Sequence, residues 1–113
     1  MPDGKYLQMD LTNIALYDFA LNTTYTFTPS VTTQSGGNIY ETIYVAFNVA
    51  QYTNHNAVVG GNSAYHNLWV IDNGSLVNKG SSGNIDISDY DVIVFQVYSY
   101  DKNKYGTISI VAK

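Results

Sequence analysis

The chain has 113 residues, of which 45% are apolar and only 12% are charged, with a net charge of −4 and no cysteine. This length suits a single domain, and the apolar share is enough to bury a core, which excludes a chain that is disordered throughout. The absence of arginine beside five lysines and nine acidic residues argues against a nucleic-acid-binding surface, and the lack of cysteine excludes disulfides and thiolate chemistry.

No segment of the sequence has the character of a membrane or export element. Apolar runs stay far below the roughly 20 residues of a membrane-spanning helix. The first residues lack the basic and apolar regions of a secretion signal. We therefore expect no membrane insertion.

In the N-terminal half, alternation of apolar and polar residues predicts β-strands, because successive side chains of a strand point to opposite faces. Short strands are predicted at residues 6–9, 15–21 and 23–28, and residues 10–13 could form one helical turn. The clearest alternation runs over residues 39–52, with an apolar inner face and a tyrosine-rich outer face. The inner set is Ile43, Val45, Phe47 and Val49, and the outer set includes Tyr40, Tyr44 and Tyr52.

A tight turn is predicted at Asn73-Gly74. Both residues tolerate the positive φ angles of a type I′ turn, so residues 68–71 and 75–77 are expected to form a β-hairpin. A further short strand is predicted at residues 84–87.

Near the C-terminus, residues 91–100 are apolar on both faces, which is typical of a central strand covered on both sides. Residues 106–112 alternate, with Ile108 and Ile110 inward. The polar turn at residues 101–104 predicts that these two strands pair as an antiparallel hairpin.

Three polar stretches, residues 29–38, 53–63 and 78–83, are rich in Gly, Asn, Ser and Thr and are interpreted as loops. Eight or so short strands separated by such turns are typical of antiparallel all-β folds. The sequence therefore predicts one antiparallel β-sandwich or jelly roll that spans residues 1–113.

The titratable side chains give little support for catalysis or metal binding. His55 and His66 could approach each other, but no third ligand lies near them in the sequence. Asp86, Asp89 and Asp91 form the densest acidic group, which lacks the Gly and the Glu of an EF-hand loop. Nucleophile elbows, phosphate-binding loops and dinucleotide motifs are missing from the sequence. We expect no metal, no cofactor and no enzymatic activity.

Eleven tyrosines and one tryptophan are the most informative excess. Tyrosine joins an apolar ring to a polar tip, so it suits a face that is wet in one state and covered in another. Such rings could form a subunit interface, could stack on a sugar beside Asn and Asp, or could simply pack across strands and stabilise the sheet. The candidate interface or ligand-binding residues are Tyr40, Tyr44, Tyr52, Tyr65, His66, Trp69, Tyr98 and Tyr100.

Residues 83–94, with the sequence GNIDISDYDVIV, give the chain a resemblance to a known class. In a small Asn-, Thr- and Tyr-rich β protein without cysteine, this stretch resembles bacteriophage virion proteins. Similar stretches occur in the β-sandwich tips of tail and head fibres, and small capsid decoration proteins share the general character. The sequence has no heptad or shaft repeat, so a complete chain favours a decoration protein and a fragment favours a fibre tip.

This resemblance implies a non-catalytic structural protein on the virion surface. The preferred role is a capsid decoration or cement protein that acts as a homo-oligomer, for example a trimer, bound to capsid or tail proteins. The alternative is a carbohydrate-binding or receptor-binding fibre tip, with a host-surface glycan bound by Tyr65, His66, Trp69 and the loop at residues 53–63. The two roles predict different behaviour in solution, namely a stable oligomer or a monomer that binds glycans.

Overall fold

The computed structural model describes residues 16–28, 31–35, 38–61, 65–99 and 104–113, the side chains of residues 31–42 excepted. Within these ranges the chain forms ten β-strands and no helix. The described residues therefore include no helix that could span a bilayer. The strands are β1 (Leu16–Asp18), β2 (Tyr25–Phe27), β3 (Val31–Ser35), β4 (Asn38–Asn48), β5 (His55–Gly61), β6 (Tyr65–Asp72), β7 (Ser75–Gly80), β8 (Gly83–Asp86), β9 (Val92–Ser99) and β10 (Gly106–Ala112).

These strands form two packed sheets, which confirms the predicted all-β sandwich. The large sheet has the order β1-β4-β9-β6-β7, and β3 also pairs with β4. The small sheet has the order β2-β10-β5-β8. All pairings are antiparallel in the described part of the chain, except that β1 runs parallel to β4.

The main core lies between the two sheets and is built by alternation along each strand. The predicted inner face of β4 is confirmed, since Val45, Phe47 and Val49 are buried and Ile43 packs against them. From the small sheet, Ile108 and Ile110 of β10 are fully buried, as predicted. Burying each such side chain stabilises the fold by about 1.5–3 kcal/mol. The remaining members of this core are Phe19, Ala57, Val59, Leu68, Val70, Ile85, Ile87, Ile93, Phe95 and Val97.

Strand β9 is central in the large sheet and is covered on both faces, as its sequence predicts. Ile93, Phe95 and Val97 point into the main core. On the opposite, outer face, Val94 packs in a second small cluster with Ala46 and Trp69, against which Tyr44 and Leu76 also pack. The outer face of the large sheet is therefore apolar at its centre.

The tight turn at Asn73-Gly74 is confirmed. These residues have φ angles of 52° and 81°, and they join β6 to β7 in the predicted antiparallel hairpin. Positive φ at two successive positions costs Asn and Gly less than other residues, so a local signal suffices here.

The predicted hairpin of residues 91–112 is wrong, because β9 lies in the large sheet and β10 in the small one. A polar turn between two apolar strands looks the same in sequence whether the chain folds back or crosses to the facing sheet. Gly106 begins β10 at a close approach of the sheets, where a Cβ atom would lie 2.6 Å from Cγ2 of Val97. Any larger residue at this position must displace the core.

The three predicted loops also contain strands. Strand β3 lies within residues 29–38, β5 occupies most of residues 53–63, and β7 runs into residues 78–83. Strand β5 has few apolar side chains, but it is paired on both sides, with β10 and with β8. Pairing in the interior of a sheet therefore specifies this strand more than its own sequence does.

The other predicted short strands either are present with different bounds or lie outside the described residues. Strands β1 and β2 fall within the predictions at residues 15–21 and 23–28, and β8 overlaps the prediction at residues 84–87 but begins and ends one residue earlier. The predicted strand at residues 6–9 and the helical turn at residues 10–13 lie outside the described part of the chain.

Candidate binding site

Strand β6 presents different side chains to its two faces. Tyr65 and Trp69 point to the outer face of the large sheet, where Trp69 joins the second cluster. His66 and Leu68 point toward the small sheet; Leu68 is part of the main core and the His66 ring lies 6.3 Å from that of Phe95. His66 therefore lies on the opposite face of the strand from Tyr65 and Trp69, because side chains alternate along a strand.

Tyr65 is paired across the sheet with Tyr98 of β9. The two rings are stacked, with centroids 5.3 Å apart and an angle of 21° between their planes. Tyr65 is 55% exposed, whereas Tyr98 is half-buried. The stack holds the Tyr65 ring in one orientation and leaves much of it accessible, so it forms an aromatic platform at the surface.

A polar cleft of about 380 Å³ adjoins this platform. It exists because β7 pairs with β6 only as far as Leu68, whose partner is Gly80. The chain then leaves the large sheet and crosses to β8 in the small sheet, with positive φ at Gly80 and Gly83. We call this the Tyr65 cleft, and its lining residues are Tyr65, His66, Asn67, Ser81, Ser82 and Tyr98.

His66 is the titratable imidazole of the Tyr65 cleft. Desolvation by burial lowers its pKa from the ordinary value of 6.5, and a hydrogen bond to the backbone of Ser81 opposes this in part. Its Nδ1 atom is buried and has no hydrogen-bond partner within the described ranges. Protonation of Nδ1 would therefore bury an unpaired donor, which favours the neutral ring.

Asn67 is held at the cleft by a network of side-chain hydrogen bonds. Its Nδ2 donates to Oε1 of Gln96 at 3.2 Å, and Nε1 of Trp69 donates to the same oxygen at 3.0 Å. Nδ2 of Asn78 donates to Oδ1 of Asn67 at 3.3 Å, and Nε2 of Gln96 donates to the Tyr44 hydroxyl at 3.4 Å. Gln96 is 1% exposed, so this satisfied network fixes Asn67 without leaving a buried amide unpaired.

The structure brings together three of the eight predicted residues, Tyr65, His66 and Tyr98, in the Tyr65 cleft. Trp69 and Tyr44 belong to the adjoining hydrogen-bond network instead. Trp69 faces outward from the sheet as expected, but only 5% of it is exposed. The expectation that Trp69 offers an open ring to a partner is therefore wrong, because its neighbours pack over it.

Tyr52 was expected on the outer face of β4, and this placement is wrong. Strand β4 ends at Asn48, and Tyr52 packs against the main core with its hydroxyl donating to the carbonyl of Phe19. The side chain of Tyr40 and the whole of Tyr100 lie outside the described residues.

The sequence did not reveal Asn67, Ser81 and Ser82 as site residues. Asn67 shares the outer face with Tyr65 two positions earlier, so strand periodicity could have found it. The two serines reach the cleft only because the chain crosses between sheets after Gly80, and no local pattern signals that. No described residue of the segment 53–61, expected to serve the same site, lines the cleft.

The segment that carries the resemblance to phage proteins, residues 83–94, forms a corner between the two sheets. Ile85 and Ile87 are buried in the main core. Oδ1 of Asp86 accepts a hydrogen bond from the Ser88 backbone at 2.9 Å, which closes the turn that follows β8. In the described structure this motif has a structural role and does not line the Tyr65 cleft.

The acidic group and the histidines do not form a metal centre in the described ranges, where no group of three or more His, Asp or Glu side chains comes together. A hydrogen bond from Lys113, with two from Ser88, holds the pKa of Asp86 well below its usual range. Nδ1 of His55 lies 2.6 Å from the carbonyl oxygen of Thr53. Asp86 and His55 are therefore engaged in local contacts.

Comparison of the chain with protein-family models, with curated proteins and with solved structures finds no match. The functional interpretation therefore depends on the geometry of the Tyr65 cleft, and a phage origin stays an expectation from residues 83–94.

Proposed function

We propose that this protein is a non-catalytic binding domain that recognises a neutral carbohydrate in the Tyr65 cleft, as the receptor-binding tip of a phage fibre would. The observation that carries the proposal is the Tyr65 platform, a stacked and exposed ring beside a cleft lined by amide and hydroxyl groups. A sugar ring combines an apolar face with peripheral hydroxyl groups, so it needs both surfaces side by side.

The charge of the cleft supports a neutral ligand. None of its described lining residues is Lys, Asp or Glu, and the lowered pKa of His66 favours its uncharged form near pH 7. Asn67, Ser81 and Ser82 each supply both a donor and an acceptor. Such groups match sugar hydroxyls better than they match a phosphate or an ammonium group.

The virion setting depends on the resemblance of residues 83–94 to phage proteins. On a virion, a fibre tip would meet the glycans of the host surface, so a host-surface glycan is the ligand that we propose. The geometry favours this role over contacts through a flat tyrosine array, because Trp69 and Tyr52 are covered within the subunit.

The second candidate function is the capsid decoration or cement role. It is favoured by exposed apolar side chains near β1, where Leu16 is 52% and Leu21 is 40% exposed. Where such side chains form a continuous patch, the patch is typically covered in an assembly. This role predicts a stable oligomer, such as a trimer, that dissociates when Leu16 is replaced by Ser, as sedimentation velocity would measure.

A glycan array tests the carbohydrate proposal, followed by titration of the best glycan with Trp69 fluorescence as the readout. Trp69 reports on the cleft because its indole shares the Gln96 acceptor with Asn67. We expect saturable binding by the wild-type protein and at least a tenfold loss of affinity in Tyr65→Leu, about 1.4 kcal/mol.

The matched control is Tyr17→Leu, because Tyr17 is 54% exposed and does not line the Tyr65 cleft. This variant should retain wild-type affinity. A protein that binds no glycan, or a Tyr65→Leu variant with unchanged affinity, would overturn the carbohydrate role.

A further inference from the structure

A second cleft opens at the other edge of the sandwich, between β1, β2 and β4, with a volume of about 320 Å³. Its volume is at the small end of the roughly 300–1,000 Å³ typical of ligand pockets. We call it the edge cleft, and its lining residues are Tyr17, Asp18, Tyr25, Phe27, Ile43, Tyr44, Val45 and Phe47.

The edge cleft lies where β4 changes pairing partner. Strand β3 pairs with residues 38–42 of β4, and β1 pairs with residues 46–48. The cleft adjoins the three residues between these segments, 43–45, and leads toward the space between the sheets. Two inward-facing rings of the small sheet, Tyr25 and Phe27, are therefore partly exposed at this point, while Phe47 of the large sheet stays buried.

Three rings that line the cleft lie around that of Phe47, whose nearest ring neighbour, Phe19 at 4.7 Å, belongs to the main core and does not line the cleft. The centroids of Tyr25 and Phe27 each lie 6.0 Å from that of Phe47, and the centroid of Tyr17 lies 6.5 Å away. The angles between the ring planes are 43°, 51° and 53°, so the rings are tilted rather than stacked. The Phe47 ring is only 2% exposed, so a cation in the cleft would meet the more accessible rings of Tyr17, Tyr25 and Phe27. A cation is attracted to the face of such a ring within about 6 Å of its centroid.

The charge around the edge cleft complements a cation. Asp18 is exposed and lines the cleft, while none of the described lysines does so. Lys79 lies over the Tyr90 ring and Lys113 pairs with Asp86, so two of the cations are engaged elsewhere. The whole chain carries a net charge of −4.

We propose that the edge cleft binds a small organic cation of the quaternary ammonium class, with its methyl groups against the rings and the Asp18 carboxylate as counter-charge. The negative faces of Tyr and Phe rings attract such a cation, and its apolar methyl groups lower the cost of desolvation. This site shares no lining residue with the Tyr65 cleft. The two are linked through Tyr44, which lines the edge cleft and accepts a hydrogen bond from Gln96.

The test is a calorimetric titration of the full chain with choline, in parallel with 3,3-dimethylbutan-1-ol, which has the same shape without the charge. We expect saturable binding of choline and an affinity for the neutral alcohol that is about 2- to 30-fold weaker. Replacing Tyr17 by Leu, or Asp18 by Asn, should weaken choline binding by a factor in the same range.

The control variant is Tyr65→Leu, which removes a tyrosine of similar exposure from the other cleft. It should bind choline like the wild type. Choline titration tests only the edge cleft and the glycan array tests only the Tyr65 cleft, so either proposal can fail without the other. The proposal is overturned if choline does not saturate at millimolar concentration, if the alcohol binds equally well, or if Tyr17→Leu and Asp18→Asn bind choline unchanged.

Discussion

The two edges of the sandwich are built alike and differ in chemistry. At each edge the chain crosses between the sheets, from β1 to β2 at one edge and from β7 to β8 at the other, and a cleft lies beside the crossing. The edge cleft is lined mainly by apolar and aromatic side chains that adjoin the main core, whereas the Tyr65 cleft combines two tyrosine rings and an imidazole with amide and hydroxyl groups. Incomplete pairing at a sheet edge thus provides a cleft, and the side chains exposed there are the basis for the class of ligand that we propose for it.

The largest expected effect is a loss of folding stability when the buried ring beside the edge cleft is removed. Phe47 is 2% exposed and is the ring around which the edge cleft is arranged. We expect Phe47→Ala to lower the free energy of unfolding by about 3–5 kcal/mol, because it leaves a cavity in the core. Urea unfolding measures this loss, and a change below about 1 kcal/mol would show that the edge cleft does not share the main core.

A smaller loss is expected from the network beside the Tyr65 cleft. Gln96→Leu removes the acceptor shared by Trp69 and Asn67 and should lower the free energy of unfolding by about 1–3 kcal/mol, because buried donors lose their partner. It should also weaken glycan binding, since Asn67 is no longer held in place. Asn78→Ala is the comparison at the exposed end of the network, where Asn78 bonds to Asn67 and to the Gly80 backbone. It should cost less than Gln96→Leu, about 1 kcal/mol or less, because water can replace these exposed partners. Equal losses in the two variants would contradict the role of Gln96.

A pH dependence is expected at the Tyr65 cleft. The pKa of His66 is lower in the folded protein than the ordinary 6.5, so below pH 6.5 the unfolded chain binds a proton that the folded chain does not. Stability should therefore fall as the pH decreases from 6.5 toward the lowered pKa, and level off below it.

Thermal unfolding of wild type and His66→Gln between pH 7 and pH 5 measures this contribution. The loss of stability on acidification should be smaller in His66→Gln, and His55→Gln controls for removal of an imidazole elsewhere. Parallel pH profiles of wild type and His66→Gln would contradict burial of a neutral ring.

The smallest effect on stability comes from the two exposed tyrosines. Tyr17→Leu and Tyr65→Leu should each change the free energy of unfolding by no more than about 0.5 kcal/mol, because both side chains are more than half exposed. Circular dichroism during urea unfolding checks this. A loss above about 1.5 kcal/mol in either variant would mean that the ring supports the fold and not a ligand.

The sequence predicted those parts of the fold that depend on short-range patterns. Alternation along β4 identified its inner face, and Asn73-Gly74 identified the hairpin between β6 and β7. The partition of β9 and β10 between two sheets was not predicted, because a polar turn gives no information on whether the chain crosses. The polar strand β5 was missed because its pairing on both sides is a property of the whole sheet.

The candidate site was predicted only in part for the same reason. Tyr65 and Tyr98 were named from their residue type, but their stacking depends on the register between β6 and β9. Ser81 and Ser82 join them through the crossing to β8. Trp69, the one tryptophan, was named as a ligand-binding ring. Because it is buried, it can report on the site by its fluorescence but cannot stack on a ligand.

The most direct test of the carbohydrate role is retention of three proteins on one glycan array: the wild type, Tyr65→Leu and Tyr17→Leu. We predict that at least one glycan retains the wild type and Tyr17→Leu but not Tyr65→Leu. Equal retention of all three proteins, or of none, would contradict carbohydrate recognition at the Tyr65 cleft.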